Sequence, residues 1–456
     1  MEALKSIWRD FELPEDVLNR VHLDDESQNL PSSFHVGAAA QTSIGLAAAA
    51  AELLYEQRTD ARQDVEIQKY AAELECTGYF HFNGEAVNAW EKFSGLYETS
   101  DGHVRIHANF DHHRDGVLEL LELGDADETT KEDVQTALRS WAAEDFETQA
   151  SERGLVVAKV RSFAEWDEHP HARWSQAQPL INAHQLSAGA EHPLGEMPSE
   201  SRPLDGVRIL DLTRILAGPI CGRTLAGYGA DVMLVNSPNL PNISSIIDTS
   251  RGKRSVHLDL LNSGDKEKFR ALVREADVLV QGYRPGGLDG LGFSPSELTK
   301  LNPSIVCVSL SAYGSGGPWG DRRGFDSLVQ TASGFNHAEG QAAGSDEPRS
   351  MPVPILDYAS GFLMAFAAQA GLFRRANQGG SWAFEISLLQ TANWLRDMGQ
   401  ITDGFDVPKF RFKEALRDFS CSHGELAGMP HAAVFSKTPA VWTRPSTLPG
   451  TDLPEW

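Results

Sequence analysis

The sequence predicts an α/β protein: an open, mostly parallel Rossmann-like sheet with helices on both faces, accompanied by a smaller α+β domain. Three observations lead there. Between residues 201 and 395, short apolar runs alternate with amphipathic segments. The runs are apolar almost without interruption, as strands buried on both faces must be. The region before residue 192 has a different texture, with an alanine-rich stretch, a Trp/Phe-bearing middle and an acidic segment.

In chain order, GAAAQTSIGLAAAAAELLYEQR (37–58) predicts a long helix, and ELGDADETTKED (122–133) is the acidic stretch. Residues 134–153 read as helical, and RGLVVAKVRSFAEW (153–166) reads as a strand running into a helix. The Pro/Gly/Ser/Glu-rich HPLGEMPSESRPLDG (192–206) reads as a linker. VRILDL (207–212), DVMLV (231–235), SVHLDL (255–260), DVLVQGY (277–283) and SIVCVSL (304–310) then predict five buried strands. PICGRTLAGYG and SGDKEKFRALVREA between them predict helices, the first with Pro219 at its opening position. LLYEQRTDARQDVEIQKYAAEL (53–74) resembles GLFRRANQGGSWAFEISLLQTANWL (371–395), with Glu385 lying 319 residues after Glu66. That period is too long for a solenoid and points to two related half-domains, in which Ala38 stands where the second copy has Asp357.

With 456 residues, 41% of them hydrophobic, the chain has material for large cores, and its length suggests about three domains. A formal charge of -24, from 40 Lys+Arg against 64 Asp+Glu, argues against nucleic acid or an anionic membrane as partner. Cys76, Cys221, Cys307 and Cys421 are far apart and form no C-x-x-C pair, so a reducing, cytoplasmic setting is expected, with an organelle interior also open. MEALKSIWRDFELPEDV has no apolar leader core, and no run of about 18 apolar residues is expected to span a bilayer. G-x-G-x-x-G, H-E-x-x-H and G-x-S-x-G are all absent, and His81, His112, His113, His169 and His171 lack ligand spacing; no metal is predicted.

Two features carry candidate chemistry. DTSRGKRSVHLD (248–259) concentrates Arg251, Lys253 and Arg254, and QGYRPGG (281–287) adds Arg284. Such turns are either solvated or, at one edge of an α/β sheet, suited to phosphate. LAGPICG (216–222) leads with glycine into a helix and by itself is only a weak anion site. In VPILDYASGFLM (353–364), Asp357 precedes a long apolar helix ending in basic residues. Local grammar makes it an N-cap worth roughly 1 kcal/mol. A helix N-terminus also keeps a carboxylate ionised, so capping and nucleophilic roles are compatible.

RPLDGVRILDLTRILAGPICGRTLAGYGADVMLVN (202–236), RGKRSVHLDL (251–260), residues 276–334 and PVPILDYASG (352–361) together resemble the class III CoA-transferase (CaiB/BaiF) family. That family includes formyl-CoA transferase, carnitine CoA-transferase and alpha-methylacyl-CoA racemase. Residues 37–200 resemble the family's later half, and residues 437–456 its extreme C-terminus, so the order is rearranged. The resemblance implies an N-terminal arm (1–34), a half containing the small domain (35–191), the linker (192–206), a CoA-binding half (207–400) and a tail packing back on the large domain (401–456).

The resemblance further implies that Asp357 is the nucleophile of a CoA-transferase acting on acyl-CoA and carboxylic acids, through a mixed anhydride and an aspartyl-CoA thioester. It assigns Arg214, Leu216, Ala217, Arg251, Lys253, Arg254, Tyr283 and Arg284 to coenzyme A, and Phe325, Asp326 and Tyr358 to the substrate pocket. It implies a homodimer, interlocked or swapped. Asn236-Ser237-Pro238 replaces the family's E-x-P, and an Arg that holds CoA in several members is missing nearby. Phe325-Asp326 stands where the racemase branch has His-Asp, which disfavours the alternative of 1,1-proton transfer, although His337 is close in sequence. A third alternative is a CoA-fold protein that has lost transfer chemistry.

Overall fold

The computed structural model describes residues 1–456 apart from Ala89 and Lys409. Its centre is a seven-stranded sheet of β1 (Ile181–Ser187), β2 (Arg208–Leu212), β3 (Asp231–Asn236), β4 (Arg254–His257), β5 (Val278–Gln281), β6 (Val306–Ser311) and β7 (Ser381–Ser387). The strands lie in the order β4-β3-β2-β5-β6-β7-β1, all parallel except β1, which runs antiparallel along β7. Each of the five apolar runs contributes a strand. The winding reverses at β2: the chain moves outward to β3 and β4, then crosses back to β5, β6 and β7. That reversal leaves a crevice at the carboxyl ends of β2 and β5, the position where open α/β sheets take ligands.

Five helices matter for the site: α1 (Val36–Thr59), α2 (Ala217–Gly227), α3 (Asp326–Ala332), α4 (Ile355–Gln378) and α5 (Leu388–Asp397). α4 packs on α1, α2, β6 and β7 and is buried almost throughout. It is long and apolar enough by composition to cross a bilayer, contrary to the sequence expectation, yet 94% of its most apolar window is buried within the protein. A helix apolar on all sides needs covering all round, and here protein covers it.

The smaller unit is an antiparallel sheet of Gly95–Glu98, His103–Ile106 and Val157–Lys159, covered by helices Asp111–Leu120, Lys131–Leu138 and Ala143–Glu152. Phe93, Tyr97, Val104, Ile106, Val134 and Phe146 form its separate core. It is the expected α+β element.

The internal repeat appears in three dimensions. α1, the strand Val65–Ile67 and the helix Lys69–Glu75 recur as α4, β7 and α5, with α1 and α4 starting and ending 319 residues apart. The two halves also exchange strands. β1 from the first half closes β7 antiparallel, while Ala433–Phe435 from the end of the chain closes Val65–Ile67 antiparallel. The segment read as a linker is gripped by Arg58, which donates to the carbonyls of Gly195, Pro203 and Asp205.

α2 and α4 cross closely at Gly361, where an added Cβ would lie 2.4 Å from the Ala217 carbonyl oxygen and 2.9 Å from Ile220. Gly361 sits one turn after Asp357, so this crossing sets the first turn of α2 beside that carboxylate. Gly361→Ala is expected to destabilise by about 1–3 kcal/mol despite alanine's better helix propensity, because backbone cannot move aside. Gly290→Ala, where nothing lies within 4 Å, serves as control and is expected to be neutral or slightly stabilising. Denaturant midpoints check both, and a Gly361→Ala protein as stable as the parent contradicts the close crossing.

Candidate functional site

Two cavities meet at Asp357. The first, of about 440 Å³, opens over the carboxyl ends of β2, β5 and β6, with Thr213, Arg214, Tyr283, Arg284 and Ser311 in its walls. The second, of about 340 Å³, is lined by Phe80, Trp90, Arg105, His107, Asp326, Met351 and Tyr358 among others. Asp357, Phe325, Ile215 and Leu216 belong to both. Ile215 adopts φ 76°, a left-handed conformation costly for a β-branched residue, and its carbonyl is held by Ser245 Oγ at 2.9 Å.

Asp357 is not the cap of its helix. α4 begins at Ile355, with no side-chain cap from Pro354, and Asp357 is its third residue. The cap comes from α3: Asp326 Oδ2 accepts the Asp357 N–H at 3.0 Å, while Gln330 donates to Oδ1. Asp357 therefore points its carboxylate into the cavities. Its proton affinity is raised well above the ordinary aspartate value, first by desolvation between the cavity walls and then by the charge of Asp326. Asp326, buried at 4% exposure, is also raised, by burial. The sequence suggests that the helix terminus sets the proton affinity of Asp357, but desolvation and a like charge act in the opposite direction and outweigh it.

The first cavity is strongly cationic. Arg214, Arg284 and Arg323 line it, and among the described residues none of them has a carboxylate within ion-pair distance. Arg322 lines it as well and pairs with Glu147 at 3.2 Å, stacked 3.9 Å over Trp319. In a chain of charge -24, three guanidinium groups without a carboxylate partner concentrate positive charge in one cleft, an arrangement suited to an anion. Tyr283, half-buried in the same wall, has its phenol raised by burial. His113, lowered to about 4 by burial and the neighbouring His112, is a neutral imidazole there.

Arg214, Leu216, Ala217, Tyr283, Arg284, Phe325 and Asp357 are thus brought together in the first cavity, and Asp326 and Tyr358 join Asp357 and Phe325 in the second. The turn before β4 goes elsewhere. Lys253 Nζ is fully buried, 2.8 Å from Asp211 and from the Pro219 carbonyl. Arg251 pairs with Asp248 at 2.8 Å between the rings of Phe419 and Trp442, and Arg254 pairs with Asp231 at 3.0 Å. These residues enter a parallel strand, whereas Arg214 and Arg284 leave one, so the two turns do not share an edge. His337 lines neither cavity. Arg322 and Arg323 were not singled out by sequence, although the doublet stands immediately before Gly324-Phe325-Asp326. Arg105, His107 and Trp90 lie in the first half of the chain and carry no local signal.

A family model described as CoA-transferase family III matches residues 204–404. An acyl-CoA transferase of Gibberella moniliformis is 32% identical over 65% of this chain and 55% of its own length. The succinate–glutarate CoA-transferase of Agrobacterium fabrum is 33% identical over 42% of this chain and 53% of its own. A solved CAIB/BAIF family protein from Brucella suis is 30% identical, covering 49% of this chain and 65% of that one, with a TM-score of 0.40. The chain spans little more than half the length of these curated relatives.

Asp326→Asn keeps an acceptor for the Asp357 N–H but removes a neighbouring negative charge. The pH midpoint for alkylation of Asp357 by a carboxylate-directed diazo reagent, followed by mass spectrometry, is expected to move in Asp326→Asn. Because a like charge raises a carboxyl's proton affinity, the midpoint is expected to fall, whichever protonation form reacts with the reagent. An unchanged or raised midpoint contradicts the coupling.

Proposed function

We infer, from the match of residues 204–404 to the family model described as CoA-transferase family III, that this protein transfers coenzyme A between an acyl-CoA and a carboxylic acid, with Asp357 as nucleophile. The observation that carries the reading is the meeting of a cationic cleft and a more apolar cavity at one carboxylate. The cleft suits the phosphates of CoA, with Arg214, Arg284 and Arg323 as partners, and the inner cavity suits the acyl or acceptor acid.

In the proposed sequence the Asp357 carboxylate attacks the thioester carbonyl; the new C–O bond forms as the C–S bond breaks, leaving a mixed anhydride and CoA thiolate. The thiolate attacks the aspartyl carbonyl, giving an aspartyl-CoA thioester and releasing the donor acid. The acceptor carboxylate repeats the exchange in reverse, returning Asp357 and a new acyl-CoA. Such intermediates need water kept out, and the first turn of α2 and the Phe325 ring form apolar walls beside Asp357. The raised proton affinity of Asp357 makes its ionised form a better nucleophile while reducing the ionised fraction near neutral pH, so transfer should rise with pH through the Asp357 midpoint.

Proton transfer at the α-carbon is less well supported. Phe325 occupies the position of the racemase branch's histidine, and the imidazole stacked on it at 4.0 Å, His107, is lowered to about 3 by burial and the charges of His113 and Arg105. It is too weak a base for that role. For assembly, the strand exchange between halves supports an interlock built inside one chain in place of one between two copies.

Incubation with an acyl-CoA followed by hydroxylamine is expected to leave a hydroxamate on Asp357, located by peptide mass spectrometry. Asp357→Ala should lose at least ~10³-fold in transfer. An unmodified Asp357 together with full activity in Asp357→Ala would sink the reading.

A further inference from the structure

Among the described residues, most buried cations are paired with a carboxylate. Arg161 pairs with Glu147, Arg223 with Glu75 and Asp248, Arg251 with Asp248, Lys253 with Asp211 and Arg375 with Asp277. Arg58 instead donates all three of its nitrogens to backbone carbonyls. Arg105 is the exception among the described residues. It is 7% exposed, donates Nη1 to Ser350 Oγ, has a buried Nε with no partner, and has no carboxylate within ion-pair distance. The Trp90 ring, 5.1 Å from the guanidinium, is its other neighbour of note. Such burial is costly unless something else pairs with the charge.

Strand geometry decides where Arg105 points. Val104 and Ile106 of the His103–Ile106 strand enter the core of the smaller unit, so Arg105 faces the opposite way, into the second cavity. His107 follows on the same face, also lines that cavity, and has a buried Nδ1 without a partner. Asp357 lines the cavity too. Asp326 is the carboxylate that acts on Arg105 electrostatically, but its oxygens are already taken by the Asp357 N–H and by Gln330.

We propose that Arg105 is a specificity-determining residue that binds a second anionic group of the acid substrate, so that the protein prefers dicarboxylic acids and their monothioesters over monocarboxylic acids of equal length. This rests on the reading that the acid reacts at Asp357. One carboxylate of the substrate lies at the reacting centre and the other pairs with the Arg105 guanidinium where it lines the cavity. The remainder of the acid lies against Phe80, Met351 and Phe325.

The test compares glutarate with valerate by calorimetric titration of the full chain in the presence of coenzyme A. Glutarate is expected to bind roughly tenfold more tightly, the scale of one charge-assisted hydrogen-bonded pair. Arg105→Met is expected to abolish that preference, and Arg105→Lys, which keeps the charge but loses the fork, to retain part of it. Turnover gives the second readout: Arg105→Met should raise KM for the dicarboxylate much more than it lowers kcat. Equal binding of the two acids by the parent protein, or an Arg105→Met variant that weakens both acids alike or neither, overturns the proposal. Failure of the transfer reading is separable, because it appears as absent labelling of Asp357 while the difference between the acids persists.

Discussion

The hydrogen bond from the Asp357 N–H to Asp326 Oδ2 is the contact on which the rest of the site depends. A helix start leaves backbone donors unsatisfied, and an aspartate three residues in would ordinarily be free to turn back on them. By taking that duty, Asp326 leaves the Asp357 carboxylate facing the cavities. The cost is two carboxyl groups close together and desolvated, each with raised proton affinity. A like-charged pair of that kind is a poor way to start a helix and a reasonable way to hold a nucleophile.

Much of the large sheet is legible in the sequence, because strands buried on both faces must be apolar nearly without interruption. β2, β3, β5 and β6 fall within a few residues of their apolar runs. β4 is shorter than SVHLDL suggests, since Leu258 and Leu260 are buried after the chain has left the sheet. β1 carries no such run: it is an edge strand with exposed polar positions, placed by its partner β7. The single helix expected over 134–153 divides at residues 139–142, where no periodic signal marks the break.

The site was legible only where chemistry and chain direction coincide. Arg214 and Arg284 leave strands at the switch point, and both line the cleft. Arg251, Lys253 and Arg254 look equally suitable as residue types, yet they enter a strand, and each meets a carboxylate that lies far away in sequence or behind it. Only long-range packing separates a structural cation from a ligand-facing one. The same holds for Arg105 and His107, which reach the second cavity because the smaller unit packs its sheet against α3. In the internal repeat each half lends a strand to the other, and the copy of the helix that has Ala38 in place of Asp357 is the packing partner α1.

Asp357 lies where the cationic cleft meets the second cavity. A crystal structure of the protein with coenzyme A tests it most directly. The phosphates are expected against Arg214, Arg284 and Arg323, with the sulfur reaching Asp357. Phosphates seated on the turn of Arg251 to Arg254, or a sulfur pointing away from Asp357, would contradict it.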